Sequence, residues 1–189
     1  MALTKLNNQS IATLTDFNLS TDDLPAGAVL QVQQTSSGTR VSQTTTSYTE
    51  PSTSYRVVIT PTRSNSMICL QYYIPLNQNS ASNVLTIMRA FRSVGGSKSY
   101  DLTSRGSSNG NRNVIAGGLF RPGNGFDYND HNMITFNAVD FPNTTSTCEY
   151  GFETRPEGAN TTSFGYSQSN SGIWGIDADI VIIATEIAQ

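Results

Sequence analysis

The sequence predicts an all-β fold: an antiparallel β-sandwich of jelly-roll type over residues 26–189, preceded by an extended arm over residues 1–25. Three observations lead there. The most apolar run, Ala178 to Ala188 (A-D-I-V-I-I-A-T-E-I-A), is of strand length and rich in β-branched side chains, which suit a pleated surface better than the crowded face of a helix. Apolar runs recur along the chain with Gly, Pro, Asn and Ser between them, roughly eight to ten in all, at the spacing typical of sandwiches and barrels. No convincing helix interrupts them.

In chain order, residues 1–25 come first. Leu3, Leu6, Ile11, Leu14, Phe17 and Leu19 make this stretch too apolar for a solvated tail, yet they are too irregular for a folded unit. Ordering such an arm costs backbone entropy of ~1–2 kcal/mol per residue, so it is expected to dock on another copy of the chain or on a neighbouring protein. Pro25-Ala-Gly27 marks the break. Ala28–Gln34 is a first strand, and the Thr- and Ser-rich stretch after it includes Thr44–Tyr48, suited to a sheet edge. Tyr55–Thr60, stopped by Pro61, is expected to form a hairpin with Met67–Ile74 through a turn at Ser64-Asn-Ser66.

Val84–Arg92 places Leu85 and Ile87 on one face and Val84, Met88 and Ala90 on the other, the pattern of a strand buried on both sides. Residues 93–113 read as loop and Val114–Phe120 as a short strand. Met133–Phe141 and Thr147–Glu153 read as a second hairpin closed by Pro142–Ser146, with Cys148, Tyr150 and Phe152 inward and Thr147, Glu149 and Glu153 outward. Ala178–Ala188 then occupies the centre of the sandwich, so truncation there is expected to be far more damaging than trimming an ordinary tail.

Composition excludes several classes of function. The 189 residues include 13 % charged side chains and a net charge of −3, while Ser, Thr, Asn and Gln abound, giving a neutral polar surface. There is no Lys/Arg cluster to hold nucleic acid or an anionic membrane. The first residues lack the pattern of a secretory signal, so assembly in a cytoplasm is expected, and the sequons at Asn143 and Asn160 are expected to stay unmodified. Cys69 and Cys148 lack metal-site or redox-pair spacing and read as two buried thiols.

Catalytic chemistry finds little to work with. Any Ser-His-Asp or Cys-His mechanism would need the single histidine, His131, which lies in the polar loop Asp127-Tyr-Asn-Asp-His-Asn. That loop lacks the glycine and distal glutamate of an EF-hand, and the glycines at 95, 96, 117 and 118 follow no phosphate-cradling pattern. Asp127, Asp130, Glu149 and Glu153 supply a glycosidase's carboxylates by count alone and read as surface acids. No catalytic residue, cofactor or metal is therefore expected. Binding has better candidates: Tyr128, Tyr166 and Phe164 lie in or beside Gly/Asn/Ser-rich loops, where rings can stack on a sugar or fill a partner's pocket. Trp174, just before the central strand, reads as a core plug.

An ordered set of short motifs adds a resemblance. Pro25-Ala-Gly-Ala-Val-Leu-Gln-Val, Val58-Ile-Thr-Pro-Thr with Ser64-Asn-Ser, Arg89 after an apolar run, Asp140-Phe-Pro-Asn-Thr-Thr-Ser-Thr-Cys-Glu-Tyr and Ala184-Thr-Glu-Ile-Ala together resemble small structural proteins of marine bacteriophages, including cyanophages. The likeness runs from about residue 25 onward and departs from the pattern at Phe141 and Cys148. It implies a virion component, a capsid decoration, knob or fibre protein, contacting other virion proteins and assembled as a homo-oligomer. The trimeric state rests on that resemblance and on the jelly-roll analogy. The alternative is a receptor- or carbohydrate-binding module at a fibre tip, contacting a host surface glycan.

Overall fold

A computed structural model describes residues 24–79, 86–102, 119–120, 132–156, 161–165 and 178–189. Among the described residues there are eleven strands: β1 (Val29–Ser37), β2 (Val41–Gln43), β3 (Val57–Ile59), β4 (Met67–Asn79), β5 (Thr86–Val94), β6 (Ser97–Ser99), β7 (Leu119–Phe120), β8 (Asn132–Asp140), β9 (Cys148–Pro156), β10 (Thr161–Phe164) and β11 (Ile180–Ile187). Among the described residues the only helical element is a 3-10 turn, Thr53–Tyr55, whose Ser54 N–H donates to the Ser52 side chain.

Every strand pairing is antiparallel, and the strands form two sheets. The first runs β1-β11-β4-β10-β2, with β8 also on β4; the second runs β3-β9-β5-β6, with β7 also on β5. Register explains the branching. The same β4 residues that pair with β11 also pair with β8, so these two flank opposite edges of β4. β11 takes Met67–Tyr73 of its edge and β10 takes Leu76–Asn79. β10 and β11 are thus two pieces of one strand position, laid end to end. Pro75, which has no N–H to give, falls at the junction, where its carbonyl accepts from Gly165 N at 3.0 Å. Ala178 N donates to Gly165 O at 3.2 Å, so the chain departs and returns at bonded points. Gly165 has φ +78°, and a Cβ there would stand 3.2 Å from Thr39 O, so the junction needs glycine.

The sandwich core lies between the sheets. Ile68, Leu70, Tyr72, Ile74, Leu76, Ile180, Ile182 and Ala184 from the first meet Val57, Ile59, Met88, Ala90, Cys148, Tyr150 and Phe152 from the second. Tyr72 Oη reaches across to Gly151 O at 3.4 Å, and Phe152 packs against Phe164 with centroids 5.9 Å apart. β11 lies between β1 and β4, as expected of Ala178–Ala188, but its burial alternates along its length. One face is core and the other is only half-covered.

Both expected hairpins are instead connections between sheets. β3 pairs with β9, not β4; β8 pairs with β4, not β9. Alternating inward residues suit a partner in either sheet, because both inner faces meet the same core. Buried carboxylates distinguish the possibilities. Glu186, 0 % exposed on β11, gathers the β3–β4 connection by accepting from Thr62 N, Thr62 Oγ1, Arg63 N and Ser66 Oγ. Asp140, at the end of β8, accepts from Arg92 Nη1 at 2.7 and 2.8 Å and from Tyr150 Oη at 2.8 Å, joining β8 to the opposite sheet.

Four smaller expectations change. Residues 93–113 contain a strand: β5 and β6 form a tight hairpin through Gly95 and Gly96, both at positive φ, which only glycine adopts at little cost. Edge pairing occurs at Val41–Gln43 and at Thr49, which bridges Thr154, rather than across Thr44–Tyr48. Glu153 is buried, for reasons given below. Cys69 is half-exposed in the first sheet and Cys148 buried in the second; both are free thiols. Val84 and Leu85, and residues 114–118 of the expected strand ending at Phe120, lie outside the described residues.

Candidate interaction surface

The two outer faces of the sandwich differ in chemistry. On the second sheet, register sets Arg89 opposite Glu153 and Phe91 opposite Gly151. Gly151 leaves room for the Phe91 ring to lie over the backbone, where it is 0 % exposed. Lys98 Nζ stands 4.2 Å and the Arg56 guanidinium 5.4 Å from its centroid. Glu50 accepts from Arg56 twice at 2.7 Å and from Lys98 at 2.9 Å. Glu153 accepts from Arg89 at 2.6 and 2.9 Å, Lys98 at 3.0 Å and Tyr100 Oη at 3.1 Å. The Arg89 guanidinium is held between the rings of Tyr48 and Tyr100, at 4.0 and 3.9 Å.

Burial pushes the Glu50 and Glu153 carboxyls upward, but their cationic partners outweigh it and hold both below the ordinary value. Among the described residues this face is a closed lattice in which Glu50, Glu149 and Glu153 already have their cations.

The outer face of the first sheet is open. One row across it is Val139, Cys69, Thr185, Val32; the next is Asn137, Gln71, Ile183, Gln34; the third is Thr135, Tyr73, Val181, Ser36. Met133 and Ile187 lie at opposite ends. None of these side chains is charged. Asp179, which accepts from Ser36 Oγ at 2.6 Å, stands at the margin just before β11. Val32 and Met133 are each 55 % exposed and Tyr73 is 36 % exposed. Around Tyr73, Gln71, Thr135 and Asn137 line a shallow depression, while the Tyr72 and Phe136 rings, stacked with centroids 4.3 Å apart, lie on the opposite, inward side of the same strands. An aromatic ring flanked by two amides and a hydroxyl can stack on an apolar partner or hydrogen-bond a polar one.

The residues singled out from sequence fare unevenly. Phe164, expected to meet a partner from a loop, is corrected: it is 0 % exposed, an inward position of β10 opposite Leu76 and against Phe152. Tyr128, Tyr166, Trp174, His131 and the arm residues Leu3, Leu6, Ile11, Leu14, Phe17 and Leu19 lie outside the described residues. Tyr73 is not among the sequence-based candidates, although the sequence carries its signal: adjacent Tyr72 and Tyr73 in one strand must face opposite sides, so one ring has to point out.

Among the described residues no cluster of three or more His, Cys, Asp or Glu could hold a metal, and no helix is long and apolar enough to cross a membrane. Burial raises both thiols above their ordinary value, the opposite of what a cysteine nucleophile requires. The chain matches no protein-family model, and no curated protein matches it.

Proposed function

We propose that the protein is a non-enzymatic bacteriophage virion structural protein, a capsid decoration, knob or fibre component assembled as a homo-oligomer. The observation that carries the reading is the outer face of the β8-β4-β11-β1 layer: uncharged at every strand position named above, and half apolar. A solvated antiparallel sheet face usually carries charged side chains, whereas the core of a protein interface is depleted of charge while keeping polar groups. The strand order supports a jelly roll, because the chain alternates between sheets from β2 to β5 and again from β7 to β10. The motif order that resembles marine phage structural proteins supplies the virion setting, and the apolar residues of the arm supply the oligomer contact.

The test is incorporation. A chain lacking residues 2–25 is expected to fold as a β domain and to fail to join the particle, and light scattering of the intact chain is expected to give a trimer's mass. Wild-type incorporation of the truncated chain, or a monomer's mass for the intact one, argues against the reading. A second reading, a receptor- or carbohydrate-binding module at a fibre tip, is favoured by Tyr73 with Gln71, Thr135 and Asn137 around it. Oligosaccharide binding lost on Tyr73→Ala would support it.

A further inference from the structure

Residues 1–23 and the outer face of the first sheet pose complementary problems. On β11 the outward side chains Val181, Ile183, Thr185 and Ile187 are only half-buried, although three of the four are as apolar as those of the core. Residues 3–19 carry six large apolar side chains, and only Lys5 and Asp16 are charged. Among the described residues this face is left half-exposed, and the apolar composition of the segment calls for a surface.

Their junction is on the page. The described chain starts at Leu24, whose carbonyl accepts from Arg63 Nη2 at 3.4 Å. Gly27 N donates to Ala188 O at 2.8 Å and Ala188 N to Ala28 O at 2.9 Å. Residues 1–23 therefore leave from the end of the sheet where Val29, Met67 and Ile187 lie, at the margin of the uncovered face. Fully extended they span up to about 80 Å, against about 43 Å for the thirteen residues of β4. That is enough to cross the face of the same copy or of an adjacent one. Gln34, Gln71 and Asn137 offer amide donors and acceptors to an extended backbone laid over them.

We infer that the segment Leu3–Leu19 of this chain docks along the outer face of β8-β4-β11-β1, apolar side chains inward, and is that face's cover. Two such faces packed directly together would also avoid charge, but would leave the six apolar residues of the segment without a surface. The inference deepens the oligomer reading by naming the docking surface, and its readout needs only the isolated protein, so it can fail while virion incorporation stands.

Cys69 is a built-in reporter, sitting on the face between Val139 and Thr185, while Cys148 is 0 % exposed in the core and reports unfolding. Alkylation by N-ethylmaleimide, resolved by mass spectrometry, is compared between the full chain and a chain lacking residues 2–23. Deletion is expected to accelerate Cys69 about tenfold or more while Cys148 stays slow, and a synthetic peptide of residues 1–23 is expected to restore protection. If deletion also releases Cys148, the full-length double variant Leu14→Asp with Phe17→Asp gives the same comparison without shortening the chain. Equal Cys69 rates with and without a competent segment overturn the inference. So does protection in the deleted chain that grows with its concentration, which assigns the face to a second copy, or protection only by added oligosaccharide, which assigns it to a glycan.

Discussion

Replacing Glu186 tests the account of how the two sheets are joined at the β3–β4 end. Its carboxylate is 0 % exposed and accepts five hydrogen bonds: from Gln31 Nε2 and Ser66 Oγ at 2.6 Å, Thr62 N at 2.8 Å, Thr62 Oγ1 at 2.9 Å and Arg63 N at 3.3 Å. A hydrogen bond to a charged group contributes about 1.5–3 kcal/mol, but bonds to one acceptor do not add, and water entering the vacated space recovers part of the loss. Glu186→Ala is therefore expected to cost about 3–5 kcal/mol, a large share of the ~5–15 kcal/mol that holds a domain folded. Glu186→Gln keeps an acceptor where Thr62, Arg63 and Ser66 converge and loses only the charge and the fit to Gln31, for about 1–2 kcal/mol. Equilibrium urea unfolding at pH 7, with unchanged m-values, measures both.

The same residue carries a pH signature. Burial pushes its carboxyl upward, but Ser66, Gln31 and Thr62 outweigh it, leaving the folded value below the ordinary 4.5. Its stabilisation is thus complete above the unfolded value and lost as pH falls through the folded one, and Glu186→Gln should flatten that decline. A loss below ~0.5 kcal/mol for the alanine variant, within the surface range, would refute the reasoning, as would a glutamine variant no better than alanine.

Ile182→Ala, which removes a 0 % exposed side chain from β11, is expected to cost ~2–5 kcal/mol in the same assay; a surface-sized loss would contradict the core placement. Gly151→Ala sets a Cβ 2.7 Å from Phe91 Cζ, and since that ring is packed under Arg56 and Lys98 it is expected to cost about 1–3 kcal/mol, so an unchanged unfolding midpoint would show that the lattice yields. Glu50 and Glu153 are likewise held below 4.5 in the fold, so Glu153→Gln should reduce stability at pH 7 and shrink the drop below pH 4.5; an undiminished acid transition would count against the lattice. His131→Ala is expected to leave infectivity of correctly folded particles unchanged, and a loss would speak against the non-enzymatic reading.

What the sequence revealed and what it withheld follow from the range of the forces involved. Ala178–Ala188 announced β11 because β-branched density is a local property, and Cys148, Tyr150 and Phe152 announced their inward face by alternation. Pairing was not legible. Nothing within residues 55–74 says that β3 belongs to the opposite sheet, because the deciding carboxylate, Glu186, is 124 residues from Thr62. Glu153 looked like an ordinary outward acid since its partners Arg89 and Lys98 come from other strands. The burial of Phe164 is not legible because its polar neighbours suggest a loop, and a four-residue strand with Thr162 and Ser163 also buried gives no alternation to read. The uncharged outer face was spread over four strands, a few residues from each, so it becomes a surface only once register is known.

The end-to-end placement of β10 and β11 along β4 makes this sandwich a host for insertions. Gly165 and Ala178, which bracket residues 166–177, are hydrogen-bonded to each other, so the sheet sees the same two fixed points whatever chain is strung between them. Doubling the length of a flexible connection costs only ~0.6 kcal/mol of closure entropy. Foreign or diversified sequence spliced in after Gly165 would therefore leave the registers of β10 and β11 untouched, giving this site a capacity for change that costs the sheet little.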